Sequence, residues 1–253
     1  MAYDNPARRL HSLLTKAFDV ADKQDNKQSV SCNVVWSQVF GVHVNQKTEL
    51  LSYAEEFLFL LKCSREAIER LQSVRKEPYL RPLDHISNQI QSHGFFGGKW
   101  ANLGNGLNNP AIMDMLEITA NAIDVQGQLM TLEESQLAEL LDATSSLLEE
   151  VRASNLDIDI KTFLSVRLEE ICHAIDHYSV YGSEGLRRVV ETNIGATVLK
   201  TYGLYSNGET PAPIQKFLNL MLKFGSWLGL AADVSEFLLP TAAELIKQLP
   251  PSA

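Results

Sequence analysis

Positive charge is what this sequence has least of: 22 lysines and arginines face 31 aspartates and glutamates, a formal net charge of -9 over 253 residues. That balance disfavours a broad nucleic-acid-binding surface, because neutralising phosphates requires clustered Lys and Arg; only a small local basic site is compatible with it. Cysteine is nearly missing. Cys32, Cys63 and Cys172 are far apart, odd in number and free of any Cys-x-x-Cys pairing, so neither a disulfide framework nor a cysteine zinc site is indicated. Proline is absent between Pro110 and Pro211, as expected of an antiparallel helical array whose turns need only glycine and polar residues. The longest apolar stretch, residues 217–232, is interrupted by Lys223 and closed by Asp233, short of the ~20 apolar residues that span a bilayer. The first residues, Met1 to Arg9, lead into a charge-interrupted helix and not the continuous apolar core of a signal peptide, which makes the cytoplasm the expected location. No Gly-x-Ser-x-Gly elbow and no internal repeat stand out.

What is present is helical periodicity. Leu10, Leu13, Leu14, Ala17, Phe18 and Ala21 recur at i, i+3, i+4, i+7 and predict a first helix with one apolar stripe. Ser31 and Gly41 bracket Val34, Val35, Trp36, Val39 and Phe40 as N-cap and stop of a second, with a strand as the competing reading of its valines. A third stripe runs from Leu51 to Leu71. Pro78 and Pro82 are expected to end helix there, leaving a short one over 83–92. Pro110 predicts the first position of a helix buried through Ile112, Met115, Leu116, Thr119 and Ile123. Thr131 with Glu134 reads as a capping box, and Gly182 as a helix stop before a new start at Ser183.

One stretch breaks the pattern. Residues 93–109 collect glycine, aromatic and asparagine residues, and they predict a shaped, non-helical connecting loop. Gly98-Lys99 there lacks the leading glycine at P-loop spacing, the following Ser or Thr and a preceding strand, so nucleotide binding is not expected. Phe95, Phe96, Lys99 and Trp100, with Trp227 in the C-terminal apolar stretch, are the candidate partner-binding residues, since large aromatics carry interface energy. The alternative is that these rings close the core.

The densest titratable run is Arg167-Leu168-Glu169-Glu170-Ile171-Cys172-His173-Ala174-Ile175-Asp176-His177. Glu170, His173 and His177 are spaced to meet on one face of a helix, a candidate set for a divalent metal. On a helical wheel at ~100° per residue, His173 lies opposite Ile171 and Ile175, so that face is expected to meet solvent. Arg167 and His173, with five residues between them, resemble the Arg-x(4 to 6)-His motif of the HEPN family of all-helical proteins, many of them ribonucleases. The resemblance covers this one helix. It implies metal-independent RNA cleavage with His173 as general acid or base and Arg167 stabilising developing phosphate charge.

The expected fold is therefore all-α, a bundle of roughly eight to ten helices in two halves. Residues 1–92 would form the N-terminal half, 93–109 the connection and 110–253 the C-terminal bundle. The expected function is a non-catalytic protein-interaction or assembly module, with a protein partner or homo-oligomer and no cofactor. A bacterial defence or toxin-immunity setting suits it by general analogy. The alternatives are the HEPN-like endoribonuclease, the one reading with RNA as partner, and a membrane-acting effector using the apolar C-terminal helix.

Overall fold

The structure, a computed structural model, describes residues 5–24, 29–72, 75–126, 132–202 and 211–228. Among these the protein is all-α, with ten helices and no strand. The chain forms two compact units, Tyr3–Leu129 and Met130–Ala253.

The first unit holds α1 (Pro6–Asp22), α2 (Cys32–Phe40), α3 (Lys47–Arg70), α4 (Glu77–His93), α5 (Trp100–Leu107) and α6 (Pro110–Gln126). Helix α1 is its centre, packed on α2, α3 and α6. It buries Leu10, Leu13, Leu14, Ala17 and Ala21, the stripe read from the sequence. Its N-cap, Asn5, accepts from the Arg8 amide at 3.1 Å and donates through Nδ2 to the Ala120 carbonyl at 2.6 Å, so one side chain caps α1 and ties it to α6. Helix α2 has the expected ends: the Ser31 side chain caps it, and Gly41 stops it in the left-handed conformation. The valines do not make a strand, because burying Val35, Trp36, Val39 and Phe40 on one helical face outweighs their modest β preference.

Several expectations are overturned here. The two prolines do not leave only a short helix. Helix α4 starts at Glu77 with Pro78 in its first turn, where a missing amide costs nothing, and Pro82 is buried inside it together with Leu83 and Ile86. Residues 93–109 are not one loop either: Trp100, Leu103 and Leu107 bury one face of α5, leaving residues 94–99 and 108–109 between helices. Nor does this stretch join two halves. It lies within the first unit, and the boundary between units falls at Leu129/Met130.

The second unit contains α7 (Glu134–Ala153), α8 (Ile158–Asp176), α9 (Tyr178–Tyr202) and α10 (Ala212–Trp227). Helix α7 packs on α8 and α10, and α9 packs on both α8 and α10. Thr131 lies outside the described residues; at the start of α7 the Gln136 side chain accepts from the Glu133 amide at 2.8 Å. Gly182, at φ 59 and ψ -171, breaks the helical geometry of α9 where the sequence placed a stop. Helix α10 buries Ile214, Phe217, Leu220, Met221 and Phe224, so the apolar stretch is core in its described part. No described helix is long and apolar enough to cross a membrane.

Candidate functional site

The loop 94–99 is held by its backbone. Gly94 and Gly98 have φ of 74 and 76, a region costly for residues with a Cβ, and they turn the chain so that the Cys32 amide donates to the Gly98 carbonyl at 3.2 Å and the Trp100 amide to the Val30 carbonyl at 2.8 Å. This bridge sets Phe95 against α2. Its ring stacks on Trp36 with centroids 4.5 Å apart and 12° between planes, and lies 5.1 Å from Phe57. Trp36 also meets Phe40 at 5.6 Å and Trp100 at 5.5 Å. Phe95 and Trp100 are 9% and 5% exposed. They are core residues, and the expectation that they form a partner surface is corrected: closing the cluster around Trp36 removes more apolar area from water than an exposed loop could. Phe96 is half-buried, edge-on to Phe95 at 4.9 Å. Lys99 is exposed and forms the N-cap of α5. Trp227 is half-buried beneath the Lys223 ammonium, 4.9 Å from its ring centroid, and Lys223 is also paired with Glu139 of α7.

On α8 the two sharper candidates come apart. Arg167 donates through Nη1 to both Glu170 oxygens, at 3.1 and 2.8 Å, and its guanidinium lies 5.4 Å from the Phe163 ring centroid. Its Nε is buried with no hydrogen-bond partner among the described residues. This folded-back guanidinium is neutralised by a carboxylate one turn away, an i, i+3 pair that the helix itself enforces. His173 packs edge-on against His177 at 4.4 Å and against Tyr181 of α9 at 5.8 Å, and both histidines are half-buried, not on an open solvent face. The expected metal set of Glu170, His173 and His177 does not assemble: Glu170 is turned to Arg167, and among the described residues no three His, Cys, Asp or Glu side chains come together to hold a metal ion. Nearby, the Cys172 thiol sits 3.7 Å from Ser145 Oγ, and burial raises its pKa.

No known family matches this chain, and no curated protein or solved structure is significantly similar to it. Its chemistry must be read from its own surface.

That surface departs from the sequence reading, which put Leu51 and Leu58 in the apolar stripe of α3 and Met115 in the buried face of α6. Leu51 and Leu58, one heptad apart on α3, are 60% and 50% exposed; Ile118 and Val125, one heptad apart on α6, are 57% and 84% exposed. Around Ile118 and Val125 stand exposed Ala111 and half-buried Met115 and Ala122. At ~100° per residue these five fall within one narrow stripe, nearly opposite the Leu116, Ala120 and Ile123 stripe that α6 turns to the core. Helix α6 is thus apolar on two faces. The signal was in the sequence: a 17-residue helix with apolar residues in every turn on both sides has more to bury than one contact can cover.

Proposed function

We propose that the chain is a non-catalytic helical interaction module whose contacts are made by outward apolar faces of its first unit. The observation that carries this reading is the heptad-spaced exposure of Ile118 and Val125 on α6, supported by Leu51 and Leu58 on α3. Single exposed apolar residues are ordinary on a soluble protein; paired ones at helical repeat distance form a stripe of the kind helices use to pack. Fully burying side chains of this size contributes about 1.5–3 kcal/mol each. The competing ribonuclease reading has less support, since the Arg167 guanidinium would have to leave Glu170 before it could meet a phosphate.

The test is light scattering of the purified chain together with recovery of bound protein on the immobilised chain, each repeated with Leu51→Glu and Ile118→Glu. A self-assembly or a defined partner, weakened by at least one of these surface changes, is expected. A monomer that retains no specific partner refutes the proposal, as does RNA cleavage that survives chelator and disappears in His173→Ala.

A further inference from the structure

Resting on that reading, we infer that the outward stripe of α6 receives an amphipathic helix of another protein, one whose apolar stripe is edged by lysine or arginine. Charge beside the stripe selects this partner. Counting from Ile118 at ~100° per residue, Asp114, Asn121, Glu117 and Asp124 fall in order along one edge of the apolar stripe, and α6 contains no lysine, arginine or histidine. One end of this edge is already satisfied from within the unit: Arg8 of α1 donates to Asn121 at 2.8 Å and pairs with Asp124. At the other end Asp114 and Glu117 are exposed and form no ion pair among the described residues.

The edge also tells against an antiparallel second copy as the occupant. Packed about a two-fold axis, α6 would set Asp114 and Glu117 against Asn121 and Asp124 of the copy, where Arg8 is already paired with Asp124. A parallel second copy is distinguished by sedimentation of the chain. A helix with an apolar stripe covers Ala111, Met115, Ile118, Ala122 and Val125, and a row of ammonium or guanidinium groups on it meets Asp114 and Glu117. The acidic chain as a whole steers such a partner toward it.

The probe is a synthetic amphipathic peptide of leucine and lysine, long enough for about four helical turns, with a leucine and glutamate peptide of the same pattern as its counterpart. Binding to the full chain is measured by fluorescence anisotropy. The Leu/Lys peptide is expected to bind and to weaken as salt rises, and the Leu/Glu peptide to bind far less. Ile118→Glu with Val125→Glu makes the chain more acidic, so general charge attraction would tighten Leu/Lys binding, whereas loss of the apolar stripe weakens it by about tenfold or more. Asp114→Lys with Glu117→Lys tests the edge separately and also weakens it. All four positions are solvent-exposed, and unchanged far-UV circular dichroism establishes that the variants are folded. Absent Leu/Lys binding, equal binding of the two peptides, or unchanged or tighter binding to the Ile118/Val125 variant overturns the inference. A dimer in sedimentation that the same variant dissolves overturns it too, by making a second copy the occupant. If the Leu/Lys peptide does not bind but the chain assembles through a face that Ile118→Glu leaves intact, the interaction reading stands and this inference alone fails.

Discussion

Replacing Phe95 by alanine separates a core loop from a binding loop. The ring is 9% exposed and lies against Trp36, Phe57 and Phe96 at 4.5, 5.1 and 4.9 Å between centroids. Losing its buried area costs about 2 kcal/mol, and losing three ring contacts adds roughly 0.5 kcal/mol or more for each. A fall of about 3–4 kcal/mol follows, in the range measured for buried phenylalanine truncations. For a unit of this size it lowers Tm by ~10 °C or more. The assay is urea unfolding followed by tryptophan fluorescence in a Trp227→Phe background, so that the signal comes from Trp36 and Trp100 in the first unit. Lys99→Ala, in the same loop but exposed, serves as the control and stays within about 0.5 kcal/mol of the parent. If Phe95→Ala also stays within that margin, the ring is not part of the core, and its assignment as structural is wrong.

Helix α5 gives a paired prediction. A Cβ on Gly104 would lie 2.3 Å from Nε1 of the buried Trp100 ring, whereas on Gly106 it would meet the end of the flexible Gln89 side chain. Gly104→Ala therefore destabilises by roughly 1–3 kcal/mol despite its better helix propensity, and Gly106→Ala is neutral or stabilising by up to ~1 kcal/mol; equal effects in thermal melts would refute the difference. Burial raises the pKa of Cys32 and Cys172 from the ordinary value of 9.0, so both thiols are neutral in the folded chain at pH 7.5. Native protein should react slowly with a disulfide reagent at that pH and far faster in urea. The stability carried by these neutral thiols is fully present below the unfolded pKa and is lost as pH rises from there through the higher folded value, because the unfolded chain releases its protons first. Unfolding free energies should thus decline above about pH 9, and by less in Cys32→Ala than in the parent.

Much of the fold was legible because its helices announce themselves on one face. The stripe of α1, the Ser31 and Gly41 ends of α2 and the break at Gly182 are local signals, and local structure obeys them. Helix α5 was not legible. Asn102, Gly104, Asn105 and Gly106 are poor helix formers, and what holds the helix is tertiary: Trp100 against Trp36, and the His85 ring Nε2 2.7 Å from the Gly106 carbonyl. The role of the aromatic loop was equally hidden, since the exposure of Phe95 depends on Trp36, Phe40 and Phe57 arriving from two other helices. On α8 the one-turn spacing of His173 and His177 is matched by the contact of their rings, but spacing could not show that Arg167 claims the Glu170 carboxylate. The second stripe of α6 was hidden for a different reason: apolar residues lie on both of its faces, and periodicity alone does not say which face a neighbouring helix covers.

Recognition is proposed for α6, whereas the aromatic loop is part of the core. Hydrogen exchange of the full chain, with and without the Leu/Lys peptide, tests both at once. The predicted result is slowed exchange over residues 111–125 with residues 94–99 unchanged. Slowing confined to 94–99, or none along α6 when the peptide is bound, would contradict it.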